Sequence, residues 1–98
     1  MANASETGES TGKIALSTTA SESRITVSDR VSALNVRLID TADGTFGFSS
    51  DAASQVTLPH SSWIEVWRRE DMEQNTGSRD IYFAAAAGTP NLEYRVTV

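Results

Sequence analysis

The sequence predicts an all-β fold, specifically an antiparallel β-sandwich of about seven or eight short strands. Apolar and polar residues alternate with a period of two along much of the chain after Lys13, and turn-forming residues interrupt the alternation about every eight to twelve residues. The length of 98 residues leaves room for one domain. We therefore expect a single β-sandwich domain over residues 13–98.

Residues 1–12 are predicted to form an extended arm outside that domain. They are rich in Ser, Thr, Glu, Gly and Asn and have almost no apolar side chains, so burial cannot offset the entropy that is lost on ordering. The arm either stays flexible or becomes ordered on a neighbouring subunit. It also lacks the basic start and the apolar stretch of a secretory signal, so no such signal is expected.

Short segments with strand character follow the arm. Residues 33–39 are the clearest, because Leu34, Val36 and Leu38 share one face whereas the residues between them are polar. The other predicted strands are residues 14–16, 24–27, 45–49, 56–58, 63–69, 80–86 and 92–98.

Turn residues predict how some of these strands connect. The Asp43-Gly44 pair is typical of a tight hairpin, so we expect the strand before it and the strand after it to pair with each other. The second of these strands is predicted to carry Phe46 and Phe48 on one side.

Two further segments need a choice between alternatives. Four alanines at residues 84–87, followed by Gly88, have the composition of a short capped helix, but the preceding Ile-Tyr-Phe favours a strand that enters a turn. The charged and polar run over residues 70–78 is predicted to be a surface loop.

The composition argues against several classes of function. The chain has no cysteine, which removes disulfides, thiolate metal sites and cysteine nucleophiles, and its one histidine is too few for a multi-histidine metal site. A net charge of −5 argues against binding to nucleic acid or to an anionic membrane surface. No run of about 18 apolar residues is present, so no membrane span is expected.

A search for chemistry in the sequence predicts a protein that is not an enzyme and holds no cofactor or metal. His60 stands beside two serines, but neighbours on one turn rarely have the geometry of a catalytic triad, so we interpret the segment as a turn. Asp40, Asp43 and Asp51 carry oxygen ligands that suit calcium, but their spacing fits no calcium loop.

The two tryptophans are the most informative residues for function. Trp63, Glu65 and Trp67 are predicted to share one face of their strand, with Ile64 and Val66 on the other. If the two aliphatic residues face the core, both tryptophans lie on the outer face, in the manner of a contact surface. The opposite assignment, with both tryptophans buried, is an open alternative.

So small a domain, without disulfides, is also predicted to associate with itself. We expect a homo-oligomer whose contact surface includes one of the tryptophans. In that contact Glu65 is expected to pair with an arginine of a neighbouring chain, and the candidates are Arg68, Arg69 and Arg79. The alternative for this charged run is a solvated loop.

The order of segments over residues 33–98 resembles the small β-sandwich structural proteins of tailed-bacteriophage particles. The resemblance lies in a strand that ends in a short polar turn at residues 40–44, a Leu-Pro segment at residues 58–59, and a strand within residues 81–89 that ends at Ala-Gly-Thr. The charged insertion over residues 68–79 departs from the pattern.

The resemblance implies a noncatalytic virion protein made in the host cytoplasm. Its expected type is a capsid cement or decoration protein that binds the major capsid protein outside the phage head and bridges its subunits, and we expect a homotrimer. A neck, tail or fibre component is the alternative within this class. In a different class, a carbohydrate-binding β-sandwich would stack Trp63 and Trp67 on sugar rings.

Overall fold

The computed structural model describes residues 2–51, 54–69 and 77–98, so residues 52–53, and residues 70–76 of the predicted surface loop, lie outside the described residues. The strands are β1 (Ala2–Glu6), β2 (Ser10–Ala15), β3 (Ser23–Val27), β4 (Ala33–Ile39), β5 (Gly44–Gly47), β6 (Val56–Leu58), β7 (Trp63–Arg68), β8 (Arg79–Ala84) and β9 (Asn91–Thr97). In the described part of the chain, no helix has the length and apolar character needed to span a membrane.

The strands form two sheets that pack against each other. The first sheet has the order β1-β3-β8-β5-β6, and the second sheet has the order β2-β9-β4-β7. The strands pair in antiparallel fashion except for β1 and β3, which run parallel. The predicted all-β sandwich is confirmed, with this parallel pair as an addition to it.

Alternating side chains of both sheets form the core. In β4, an inner strand of the second sheet, Leu34, Val36 and Leu38 are fully buried, as the sequence predicted. From the first sheet, Ile81 and Phe83 of β8 enter the same apolar cluster. Each such side chain contributes about 1.5–3 kcal/mol through burial, so these inner strands dominate the stability of the domain.

The alanine-rich segment belongs to a strand and the turn after it, as predicted. β8 ends at Ala84, and Gly88 follows in the left-handed region with a φ of 68°. Glycine adopts that conformation without a steric penalty, so the chain can turn there and enter β9.

The prediction of a hairpin at Asp43-Gly44 is wrong. β4 lies in the second sheet and β5 in the first, so the segment between them crosses from one sheet to the other. Gly44 is buried in β5, where an added Cβ would collide with the backbone carbonyl oxygen of Ala84 in the adjacent β8. The glycine is therefore needed for the close approach of β5 to β8 and not for a tight turn.

Gly44→Ala is expected to lower the free energy of unfolding by about 1–3 kcal/mol, because the new methyl group forces β5 and β8 apart. Gly8→Ala is the matched control, since an added Cβ there meets no atom within 4 Å. Urea denaturation measures both. Equal stability of the two variants would contradict the close approach of β5 to Ala84.

The structure also differs from the prediction for residues 1–12. The described part of that segment forms β1 and the first half of β2, which pair with β3 and β9 of the same chain. The sandwich therefore begins before residue 13. The composition argument considered side chains alone, whereas a strand at a sheet edge is held largely by main-chain hydrogen bonds, which do not depend on side-chain type.

The carboxylate of Glu6 joins β1 to the second sheet. The Ser10 hydroxyl donates to Glu6 Oε1 over 2.6 Å, and the Tyr94 hydroxyl donates to Glu6 Oε2 over 2.6 Å. Burial and the adjacent Glu6 carboxylate raise the pKa of Tyr94 to about 12. Gly12 lies beside the Tyr94 ring, where a larger residue would displace the hydroxyl.

The stability of the protein is expected to depend on Tyr94 at high pH. Because the pKa of Tyr94 is about 12 in the folded state against 10.0 for a free tyrosine, its contribution is complete below pH 10 and is lost as the pH rises from 10 towards 12. The full contribution is about 2–3 kcal/mol, of which roughly half is lost by pH 11. Denaturation of wild type and Tyr94→Phe at pH 8 and pH 11 measures it, and an equal loss of stability in both proteins would contradict it.

Candidate functional site

The edge strand β7 carries four of the six predicted interface residues, Trp63, Glu65, Trp67 and Arg68, and a β-bulge interrupts its pairing with β4. Ile64 lies opposite Val36 and Glu65 opposite Asn35, but the next pair joins Trp67 to Leu34. Val66 is therefore the additional residue on β7. A bulge of this kind inserts one residue and changes the face on which the later side chains lie.

The bulge separates the two tryptophans. Trp63 lies on the outer face and is 39% exposed, whereas Trp67 lies opposite the fully buried Leu34 and packs against the core beside Val66. The prediction that Trp63, Glu65 and Trp67 share a face is wrong, and so is the alternative in which both tryptophans are buried. Strict period-two alternation does not hold across an inserted residue.

Two arginines cover the Trp63 ring. The guanidinium carbon of Arg95 lies 4.8 Å from the ring centroid, and that of Arg37 lies 5.3 Å from it. Both distances are within the range of cation–π attraction, which contributes about 0.5–1 kcal/mol at an exposed site. The tryptophan and its arginines are therefore held together on the surface.

Glu93 organises the cations beside Trp63. Its Oε1 accepts a hydrogen bond of 2.9 Å from Arg37 Nε, and its Oε2 lies 3.8 Å from Lys13 Nζ. Arg95 makes no ion pair with any carboxylate of the described residues. We call this surface, formed by Lys13, Arg37, Trp63, Glu93 and Arg95, the Trp63 face.

Glu65 also lies on the outer side of β7, and its arginine belongs to the same chain. Arg68 Nε and Nη2 donate to the two carboxylate oxygens over 2.8 and 2.9 Å. These hydrogen bonds hold the pKa of Glu65 below its usual range. A partner arginine from a neighbouring chain is therefore not required to neutralise this carboxylate. That Glu65 and Arg68 take part in an interface stays a prediction.

Arg69 has an internal role. Its guanidinium carbon lies 4.8 Å from the centroid of the Trp67 ring, and its Nε and Nη2 donate to the backbone oxygens of Val31 and Ser28. These bonds connect the end of β7 to the segment between β3 and β4. We therefore separate Arg69 from the residues of the outer face.

Arg79 lies apart from the Trp63 face. Its guanidinium carbon is 5.4 Å from the ring centroid of Phe48. Phe48 is 51% exposed because β5 ends before it. The prediction that Phe46 and Phe48 lie on one side of a strand is therefore wrong. A groove of about 350 Å³ brings Arg79 and Phe48 together with three of the predicted residues, and its lining is Phe48, Glu65, Val66, Trp67, Arg68 and Arg79.

His60 is part of a polar contact that the sequence does not reveal. Its Nδ1 lies 2.6 Å from Asp43 Oδ1, and its backbone N–H donates to the same oxygen. These hydrogen bonds lower the pKa of Asp43. Ser61, in the left-handed region with a φ of 65°, donates its backbone N–H to the Leu38 oxygen, so this turn is fastened to β4. Within the described ranges, no group of three or more His, Cys, Asp or Glu residues is arranged to hold a metal ion.

Comparison with known proteins gives no match: no family model, no curated protein and no solved structure is significantly similar to this chain.

Proposed function

We propose that this chain is a noncatalytic structural protein of a tailed-phage particle, of the capsid cement or decoration type. In this proposal it binds the outside of the capsid as a homotrimer and bridges major capsid subunits through the Trp63 face. The observation that carries the proposal is the arrangement of Trp63 under two guanidinium groups on the outer face of the second sheet. Trp and Arg are the residue types that dominate binding energy at protein interfaces.

The charges of the Trp63 face favour an acidic contact on the partner. Arg95 is exposed and stacks on Trp63 without an ion pair to a described carboxylate, so its N–H donors are available for a bidentate bond to an Asp or Glu of another protein. The stack restricts the guanidinium before binding, which lowers the entropy that association costs.

The position of β7 at a sheet edge supports the same proposal. Among the described strands, β7 is the outermost strand of the second sheet and pairs with β4, so the main-chain groups on the other side of residues 63–67 can bind a partner strand. The bulge at Val66 limits regular pairing to one part of the strand, as is typical of edges that avoid open-ended aggregation.

A carbohydrate-binding module is less well supported. Sugar stacking needs an accessible aromatic ring, but Trp67 packs towards the core, and a sugar would compete with two guanidinium groups for the Trp63 ring. A neck, tail or fibre component would use the same protein-binding chemistry as a cement protein, so position in the particle is an outcome of the experiment.

The test is mass spectrometry of particles purified after induction of the phage whose genome encodes the chain, combined with labelling of the chain on the particle surface. We expect the chain at a copy number comparable to that of the major capsid protein, and labelled on the head. A low copy number with a label at the neck or tail would favour the accessory alternative. Absence from purified particles, or chemical shift changes on adding oligosaccharides, would contradict the proposal.

A further inference from the structure

β1 is an edge strand whose attachment to the sandwich rests on few side chains. It pairs in parallel register with β3 from Ala2 opposite Ser23 to Glu6 opposite Val27. Among the described side chains of residues 3–6, Asn3 and Ser5 are exposed and Ala4 packs against the core. Main-chain pairing and the hydrogen bonds of Glu6 therefore hold β1 in place.

β3, the strand that pairs with β1, is buried in the core. Ile25 and Val27 of β3 are fully buried, and β3 lies between β8 on one side and β1 on the other. If β1 leaves, the N–H and C=O groups along one edge of a core strand lose their partners. Such an edge binds another strand readily, because each unpaired polar group near the core costs free energy.

We propose that the β3 edge is an acceptor site for β1 of a second copy of this chain, so that copies are linked by exchange of β1. A second copy is the occupant because its β1 has the same sequence and can repeat each contact: the register with β3, the packing of Ala4, and the bond from Glu6 to Tyr94 of the accepting chain. This inference does not depend on the proposed function.

The short link between β1 and β2 allows such an exchange. Only residues 7–9 separate the two strands, and a Cβ built on Gly8 would meet no atom within 4 Å, so there is open space beside the link at this position. A short tether gives the chain's own β1 an effective concentration of roughly millimolar, so in dilute solution β1 pairs with β3 of its own chain. Exchange becomes favourable where copies stand side by side at comparable local concentration.

The test uses two full-length variants that each carry one cysteine, in a chain that has none of its own. Ser5 and Thr26 are register partners in β1 and β3, and neighbouring parallel strands lie close enough for a disulfide. Ser5→Cys and Thr26→Cys are mixed at roughly millimolar concentration under mild oxidation, the range set by the tether. The control mixture pairs Ser5→Cys with Thr57→Cys, whose cysteine lies in β6 at the opposite edge of the same sheet.

Strand exchange predicts at least a fivefold excess of disulfide-linked heterodimer in the Ser5→Cys and Thr26→Cys mixture over the control mixture. The double variant Ser5→Cys/Thr26→Cys, oxidised when dilute, is expected to form the disulfide within one chain and to lose the ability to exchange. Equal heterodimer in both mixtures would overturn the proposal. Failure of the double variant to form its internal disulfide would overturn it too, because the β1–β3 register would then be absent.

Discussion

Phe83→Ala is expected to lower the free energy of unfolding by about 3–5 kcal/mol, the largest single loss that we predict for this domain. Phe83 is fully buried in β8, which is hydrogen-bonded to β3 on one side and to β5 on the other, and it lies opposite Phe46. Domains of this size are stable by roughly 5–15 kcal/mol, so the variant is expected to melt about 12–40 °C below wild type.

The matched control for this substitution is Phe48→Ala. It removes the same atoms from a ring that is 51% exposed and stacks on Arg79, so we expect a loss of about 1 kcal/mol or less. Thermal and urea denaturation of both variants give the comparison. Equal losses would mean that Phe83 does not lie at the centre of the core.

Trp67→Ala and Trp63→Ala are expected to have different effects, and this is the second large prediction. Trp67 packs against the core, so its removal is expected to cost about 2–4 kcal/mol of folding stability. Trp63 lies on the outer face, so its removal is expected to change folding stability by about 1 kcal/mol or less but to weaken binding to capsids at least tenfold.

Denaturation measures the first effect and co-sedimentation with capsids measures the second, while light scattering over a range of concentrations measures self-association of the wild-type chain. Arg30→Ala is the control for binding, because Arg30 is also exposed but lies in the turn after β3. A wild-type chain that stays monomeric at high concentration would contradict self-association. Equal destabilisation by the two tryptophan variants would contradict the separation of their faces by the bulge.

The sequence predicts the inner strands well, because their pattern follows directly from burial. Residues 33–39 have the predicted bounds, and the strands near residues 24, 80 and 92 differ from prediction by about one or two residues at their ends. In these segments side chains point alternately into the core and towards water, so the hydrophobic alternation in the sequence follows directly from burial.

The remaining differences have a common cause: the fold there depends on contacts between distant backbone segments. The bulge at Val66 shifts Trp67 by one position without changing the composition of the strand. β1 is attached through main-chain pairing, which its polar side chains do not reveal. Gly44 is needed because the carbonyl oxygen of Ala84, 40 positions away in the sequence, leaves no room for a Cβ. The contact between His60 and Asp43 likewise joins two connections that only the tertiary fold brings together.

Binding of the chain to capsids tests the central claim, that the Trp63 face attaches this domain to a phage head. The measurement is co-sedimentation with capsids that lack the chain, using wild type, Trp63→Ala, Arg95→Ala and the control Arg30→Ala. We expect wild type and Arg30→Ala to sediment with the capsids, and Trp63→Ala and Arg95→Ala to bind at least tenfold more weakly, since truncating an interface anchor costs about 2 kcal/mol or more. Wild type left in the supernatant, or undiminished binding of both Trp63→Ala and Arg95→Ala, would contradict the claim.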